Sequence, residues 1–179
     1  MKNKITEILF AGFGGQGIMF MGKLLAQAGF ISHKNVTWMP SYGAEVRGGT
    51  AYSMTKISDS RIASPVIANP DILVVMNEPS LVKYENKLKS KGILIMNKSL
   101  IAARPRRKDI SVVSTPMTDL AAKLGSARSA NMVAIGALLK SSKLFPLKTV
   151  TGALKNMLGG KEDVYLLDKK AIEKGYKET

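Results

Sequence analysis

A six-residue segment containing four glycines follows the first apolar run of the chain. Residues 12–17 read GFGGQG and come directly after the apolar run 8–11. A strand that ends in such a turn and leads into a helix presents backbone amides at the helix N-terminus, where a partial positive charge favours phosphates and other anions. The candidate ligand-binding residues are therefore Gly12, Gly14, Gly15, Gln16 and Gly17. A purely structural role, a tight turn with close packing, stays open.

The usual dinucleotide-binding pattern is incomplete after this turn. That pattern requires an acidic residue at the end of the second strand, about 20 residues further on, to hold a ribose hydroxyl. The predicted second strand ends at Trp38, Met39 and Pro40, so neither that acid nor an NADP-type arginine is present. A stand-alone nucleotide-binding Rossmann-like protein or dehydrogenase is therefore the alternative interpretation. The Gln16 amide is expected to cap the turn or to reach a ligand or partner.

A second polar cluster follows the second predicted strand. Residues 41–50 read SYGAEVRGGT, a glycine-rich loop with one glutamate and one arginine. In an open parallel sheet this loop lies at the carboxyl ends of the strands, at the same edge as the glycine turn. Arg47 is a candidate ligand for a phosphate or carboxylate because its guanidinium makes bidentate contacts. Tyr42 offers a flat ring with a hydroxyl. Glu45 is also a candidate, although a simple Glu45–Arg47 ion pair stays open.

Composition limits the chemistry that the chain performs alone. Its 179 residues contain no cysteine and a single histidine, His33, which rules out disulfides and leaves little for a zinc site or a Ser/His dyad. The net charge of +14 favours anionic ligands or acidic partners, or else only solvates the surface. Aromatic residues do not interleave with the basic clusters, which argues against nucleic acid. No apolar run reaches the roughly 20 residues of a membrane span, and we expect a cytoplasmic protein.

Strand and helix patterns alternate along the first two thirds of the chain. The alternation predicts an α/β, Rossmann-like three-layer fold with a mainly parallel sheet and a helical C-terminal portion. Buried strands are predicted at the uninterrupted apolar runs, and a basic turn, 104–108, is expected between the last two strands. The predicted strands are 7–12, 36–39, 50–57, 71–76, 93–96 and 110–113, and the predicted helices are 16–30, 79–90, 115–124, 131–139, 147–158 and 163–174.

Taken together, several segments resemble the gamma subunit of the 2-oxoacid:ferredoxin oxidoreductases. The resemblance rests on ordered blocks that cover most of the chain, namely GFGGQG at 12–17, SYGAEVRGGTA at 41–51, SP at 64–65, the stretch from Pro70 to Ser80, and NMVAIGA at 131–137. The amino-acid sequence of residues 42–49 is more similar to that of the 2-oxoglutarate and branched-chain members than to that of the pyruvate members.

The resemblance implies one gamma-subunit domain over residues 1–179, similar to domain III of the family's longer chains, inside an enzyme that converts a 2-oxoacid and coenzyme A to acyl-CoA, CO2 and reduced ferredoxin. It implies alpha and beta subunits as partners, with a delta subunit in some members, and contact with ferredoxin through the complex. Thiamine diphosphate and iron–sulfur clusters are expected on those partners, and coenzyme A at the subunit interface. No catalytic residue or metal ligand is assigned here, and the isolated chain is expected to be inactive.

Overall fold

The computed structural model describes residues 5–41 and 50–179, and these form one six-stranded sheet with helices on both faces. The strands are β1 (Ile5–Gly12), β2 (Asn35–Pro40), β3 (Ala51–Ser58), β4 (Ile72–Val75), β5 (Ile93–Asn97) and β6 (Ser111–Thr115). The α-helices are α1 (Ile18–Ile31), α2 (Glu78–Tyr84), α3 (Met117–Lys123), α4 (Ala130–Ser142), α5 (Leu147–Leu158) and α6 (Glu162–Lys177). The predicted α/β class is therefore confirmed.

The strand order is β2-β3-β1-β4-β5-β6, and one strand runs against the others. β1, β4, β5 and β6 are parallel neighbours, whereas β3 is antiparallel to both β1 and β2. The sheet is mainly parallel, as predicted. The reversed β3 lies between β1 and β2. In a dinucleotide-binding sheet, by contrast, the second strand lies directly beside the first. The end of β2 is therefore one strand further from the glycine turn than the dinucleotide interpretation requires.

Alternate residues of the central strands supply two separate hydrophobic cores. On one face, Ile8, Phe10 and Val74 contribute to the larger core, which helices α1, α4, α5 and α6 cover. On the other face, Leu9, Ala11 and their neighbours pack under α2 and under the loop that contains the buried Ile101. This period of two with both faces buried explains why the strands appear in the sequence as uninterrupted apolar runs.

Helix α4 is the centre of the larger core, and its residues from Ala130 to Leu139 are all buried. It packs backbone to backbone against α6, because a Cβ at Gly136 would collide with the carbonyl oxygen of Ile172 and one at Gly175 would collide with that of Val133. The predicted buried helix at 131–139 is confirmed. The two glycines explain why α6 approaches α4 so closely.

The region after β4 differs from the sequence prediction. A single helix was predicted over 79–90, but α2 ends at Tyr84 and a 3-10 turn, Glu85–Lys87, follows it. Leu88 then adopts an extended conformation and its side chain is buried in the smaller core. The helix is shorter than predicted because the chain turns to bring Leu88 onto the sheet.

Candidate functional site at the carboxyl edge of the sheet

The glycine turn connects the end of β1 to the start of α1, and the side chain of Gln16 closes it. The Oε1 atom of Gln16 accepts a hydrogen bond from the backbone N–H of Phe13 at 2.7 Å. Its Nε2 atom donates to the carbonyl oxygen of Met76, at the end of the neighbouring strand, at 3.3 Å. Of the two roles expected for this amide, the structure shows the capping one.

Three of the four glycines have a structural reason to be glycine. Gly15 and Gly17 adopt left-handed φ values of 89° and 73°, which side chains rarely tolerate. A Cβ at Gly12 would lie 2.6 Å from Oε1 of Gln16 and 2.7 Å from Cδ1 of Ile18. Gly14 is exposed and is not among the left-handed glycines. Close packing and turn geometry therefore explain Gly12, Gly15 and Gly17, and leave Gly14 unexplained.

The N-terminus of α1 has no side-chain cap in the described part of the chain. Gly17 occupies the N-cap position, and a Cβ there would collide with the side chain of Asn131. The first turn of the helix contains no acidic residue. The first backbone N–H groups of a helix lack partners within the helix and carry part of its positive dipole. This end of α1 is therefore electropositive and suited to an anion.

Asn131 adjoins the candidate site but is not among the residues predicted from the sequence. It lies at the start of the buried helix α4, is itself buried, and places its Nδ2 atom so close to Gly17 that any side chain there would collide with it. Its Oδ1 accepts from the N–H of Met132. Asn131 begins the NMVAIGA block and heads an otherwise apolar helix, but it lies 114 positions after Gly17 in the sequence. Spacing therefore offered no link to the glycine turn.

The end of β4 adds a second polar group to the same edge. Asn77 caps α2 by accepting a hydrogen bond from the N–H of Ser80 at 2.9 Å. Within the described ranges, the buried Nδ2 of Asn77 and Oγ of Ser80 have no hydrogen-bond partner. Nearby, Lys83 donates to the Thr50 hydroxyl at 3.1 Å, which ties α2 to the residue before β3.

Tyr42, Glu45 and Arg47 lie outside the described residues, so the structure does not report their positions. The two residues that border their segment are described. The N–H of Ser41 bonds the carbonyl oxygen of Tyr52 at 3.0 Å. Thr50 precedes Ala51, which pairs with Gly12 at the end of β1. Ser41 and Thr50 therefore lie at the same edge of the sheet as the glycine turn.

The predicted basic turn, 104–108, is a loop held by a buried carboxylate. Oε1 of Glu85 accepts hydrogen bonds from the backbone N–H groups of Arg106 at 2.5 Å and Arg107 at 2.8 Å. The Arg107 guanidinium pairs with Asp109 and lowers the pKa of that carboxyl to about 2. The loop therefore has a defined backbone, although its composition suggested only a charged connection.

An ionic network occupies the opposite, amino edge of the sheet. Glu7 accepts from Lys56 at 2.8 Å and from Lys89 at 2.7 Å, and Lys89 also contacts Asp71 at 2.9 Å. Burial alone would raise the pKa of Glu7, but the hydrogen bonds from both lysines outweigh it and lower that pKa. Burial opposes the charge of Lys89, whose pKa is nevertheless raised by its two carboxylate partners. These side chains join β1, β3 and β4 and are distant from the glycine turn.

The residues in the described ranges form neither a metal site nor a cluster site. Because the sequence has no cysteine, the chain offers none of the thiolate ligands that iron–sulfur clusters use. Within 5–41 and 50–179, no three side chains among His, Asp and Glu are grouped to hold a metal ion. In the same ranges, no helix combines the length and apolar character needed to cross a bilayer.

Among known proteins of similar sequence, some match this chain over a part of their length and others over nearly all of it. Subunit VorA of the ketoisovalerate oxidoreductase of Methanothermobacter thermautotrophicus is 32% identical over 171 residues, which is 95% of this chain but 35% of that protein. The chain thus spans about a third of that relative. Subunit KorC of the 2-oxoglutarate synthase of Methanocaldococcus jannaschii is 32% identical over 174 residues, covering 95% of this chain and 91% of that subunit.

Solved structures of the same fold lead to the same family. The gamma subunit of a keto/oxoacid ferredoxin oxidoreductase from Geobacter sulfurreducens superposes with a TM-score of 0.84 at 27% identity, covering 97% of both chains. The 2-oxoglutarate:ferredoxin oxidoreductase of Magnetococcus marinus gives a TM-score of 0.86 at 26% identity, over 97% of this chain and 31% of that one. Residues 7–178 match the family described as pyruvate ferredoxin/flavodoxin oxidoreductase, and the chain belongs to that family.

Proposed function

We propose that the chain is the gamma subunit of a multisubunit 2-oxoacid:ferredoxin oxidoreductase, which converts a 2-oxoacid and coenzyme A to acyl-CoA, CO2 and reduced ferredoxin. The observation that carries the proposal is the end-to-end match with separate subunits, at 91% of the KorC subunit and 97% of the Geobacter gamma subunit. The VorA and Magnetococcus chains contain the equivalent segment as about a third of their length. A unit found both alone and within longer chains suits a component of a larger enzyme.

The reacting groups of this enzyme belong to its other subunits in this proposal. The chain has one histidine and no cysteine, so it has few groups for proton transfer and none for iron–sulfur ligation. Thiamine diphosphate and the clusters are accordingly assigned to alpha, beta and delta-type partners, and ferredoxin contacts the assembled complex. The gamma subunit contributes structure and part of the coenzyme A site, and by itself it is inactive.

The glycine turn is the part of this chain that we assign to coenzyme A. Gly14 has no described structural reason to be glycine, the N-terminus of α1 is electropositive, and Phe13 exposes 44% of its surface beside them. Backbone amides and a helix N-terminus suit the phosphates of coenzyme A, and an exposed ring suits its base. Arg47, Tyr42 and Glu45 come between Ser41 and Thr50 in the sequence, two residues that lie at this edge, and are proposed to complete the site.

The 2-oxoacid of the complex is proposed to be 2-oxoglutarate or a branched-chain acid. The amino-acid sequence of residues 42–49 favours these two substrates over pyruvate. The relatives described above are a 2-oxoglutarate synthase subunit and a ketoisovalerate oxidoreductase subunit. The turnover rates of the native complex with 2-oxoglutarate, 2-oxoisovalerate and pyruvate, at equal concentrations, test this substrate preference. Preference for pyruvate would contradict it.

Co-purification from the native source tests the subunit assignment. We expect the chain to be recovered with alpha and beta chains and with thiamine diphosphate, and to have no activity when separated from them. Recovery of a lone chain that oxidises a substrate with NAD or NADP would overturn the proposal in favour of an independent dehydrogenase.

Substitutions in the reconstituted complex test the coenzyme A role. Gly14→Asp adds a negative charge beside the N-terminus of α1, and Arg47→Ala removes the candidate phosphate ligand. We expect each to weaken coenzyme A binding at least about tenfold in calorimetric titrations, because one charge-assisted contact contributes about 1.5–3 kcal/mol. Gly152→Asp is the matched control, since Gly152 is exposed on α5 with open space around its Cα.

The same variants distinguish coenzyme A binding from contact with a partner subunit. If Gly14→Asp prevents assembly, while complexes that do form bind coenzyme A normally, the edge is a subunit interface and the binding role is wrong. Unchanged affinity and turnover in both variants would also exclude it. Neither result would affect the subunit assignment, which co-purification tests separately.

A further inference from the structure

A cavity of about 500 Å³ lies at the amino edge of the sheet, away from the glycine turn. It is bordered by the starts of β4 and β5, the end of β3, and the turn between α4 and α5. Thr6 of β1 lines it, and Gly12 ends the same strand, so about 20 Å of extended chain separates the cavity from the glycine turn. Its volume lies in the range of small-molecule sites.

The cavity combines an apolar wall with an excess of positive charge. Its apolar residues include Ile57, Ile72, Leu144 and Phe145. Its charged residues are four lysines and two aspartates, which leave a net charge of +2: Lys34, Lys89, Lys91, Lys143, Asp59 and Asp71. Such a lining suits a ligand that carries both an anionic group and an apolar group.

Both aspartates are already neutralised by lysines of the cavity. Asp59 pairs with Lys34, and Asp71 pairs with Lys89 at 2.9 Å. Lys91 and Lys143 form no ion pair with any residue in the described ranges. These two lysines are therefore the charges available to an incoming anion.

The backbone at these two lysines is unusual. Lys91 and Lys143 adopt left-handed φ values of 61° and 54°, and the only other non-glycine residue in this conformation within the described ranges is His33. Glycine adopts this conformation without the cost of about 1 kcal/mol that a side chain incurs. The backbone conformation at both positions would be more favourable with glycine than with lysine. What lysine adds at these positions, and glycine would not, is a positive charge.

We propose that this cavity binds a small organic anion bearing phosphate, with Lys91 and Lys143 as the ligands of the phosphate and the apolar wall around Phe145 as the contact for its organic part. The site is separate from the coenzyme A role assigned to the glycine turn and does not depend on it. Two lysines that line the same cavity as an apolar wall suit a ligand with a charged head and an apolar body.

Calorimetric titration of the full chain with ADP and with inorganic pyrophosphate tests the site. We expect both probes to bind, ADP more tightly, and both affinities to fall as salt is raised. The double variant Lys91→Gly/Lys143→Gly is expected to weaken both at least tenfold. Because glycine suits the left-handed conformation, this variant should unfold at no lower a temperature than the parent, so that lost binding is not lost folding.

Two controls define the outcome. His33→Gly changes a residue of the same conformation that does not line the cavity, and Lys170→Ala removes an exposed lysine of α6. Both should bind ADP like the parent. The proposal is overturned if neither probe binds the parent at millimolar concentration, or if binding survives in the double variant but is lost in Gly14→Asp. Equal affinities for pyrophosphate and ADP would exclude the apolar contact.

Discussion

The side chain of Gln16 joins the turn after β1 to the end of β4 through its hydrogen bond to the carbonyl oxygen of Met76 at 3.3 Å. The other end of the same amide accepts from the Phe13 N–H at 2.7 Å. One residue therefore shapes the glycine turn and fixes its position on the sheet. The proposed binding edge is preformed by a contact between residues that are 60 positions apart in the chain.

Gln16→Glu tests this linkage with little change in size. The carboxylate keeps an acceptor for Phe13 but loses the donor to Met76, whose carbonyl oxygen it then faces with a negative charge. We expect the free energy of unfolding to fall by about 1–2 kcal/mol in urea titrations. Gln27→Glu, on the same helix α1, is the control and should change it by less than about 0.5 kcal/mol. Equal effects would show that the Met76 contact contributes nothing.

Gly17→Ala tests whether Asn131 restricts the same turn. The alanine Cβ would meet the Asn131 amide and would also strain a φ of 73°. We expect a loss of about 3 kcal/mol in the free energy of unfolding, of which the backbone strain accounts for about 1 kcal/mol. Adding Asn131→Ala removes the colliding amide, so a double-mutant cycle in urea should give a coupling of at least about 1 kcal/mol. An additive cycle would mean that backbone conformation alone requires glycine.

The sequence predicted most of the fold because burial leaves a direct pattern. Apolar runs marked β4 and β5, and the helix predicted over 147–158 has the same bounds as α5, Leu147–Leu158. The reversed direction of β3 was not predicted, because alternation of apolar and polar residues is the same for either strand direction. The strand order places β3, and not β2, beside the strand that ends in the glycine turn.

The site was predicted less completely than the fold. GFGGQG marked the glycine turn because glycine is tied to local backbone geometry. The contacts of Gln16 with Met76 and of Gly17 with Asn131 join distant parts of the chain, and no local pattern encodes such pairs. The lysines of the amino-edge cavity were similarly indistinguishable from surface lysines until their backbone conformation and neighbours were known.

The Glu7 network predicts a specific acid dependence of stability. The folded state lowers the pKa of Glu7 below its usual value of 4.5, so its stabilisation is present above pH 4.5 and is lost as the pH falls through the lower, folded-state pKa. We expect Glu7→Gln to lower the free energy of unfolding at pH 7 by about 1–2 kcal/mol, since it leaves the largely buried Lys56 without this carboxylate partner.

Urea titrations of Glu7→Gln and the parent between pH 2.5 and about 7 measure that dependence. The difference between the two proteins should narrow below pH 4.5, because the parent then loses the charge that the variant never had. Glu173→Gln, which removes a more exposed carboxylate on α6, is the control and should give a small difference at every pH. A difference that stays constant down to the lowest pH would contradict the assignment of the lowered pKa to Glu7.

Asp168 on α6 gives a dependence of opposite sign. Burial raises the pKa of this carboxyl, and the hydrogen bond from the Ser129 hydroxyl at 2.8 Å offsets the effect only in part. An acid with a raised folded-state pKa contributes stability at low pH that is lost as the pH rises through its unfolded and then its folded pKa. Asp168→Asn keeps an acceptor for Ser129 without the buried charge. We therefore expect the variant to be more stable than the parent at pH 7, by about 0.5 kcal/mol, and the advantage to vanish below pH 3 in thermal unfolding. Destabilisation at pH 7 would instead show that the charged form of Asp168 strengthens its bond to Ser129 by more than burial costs.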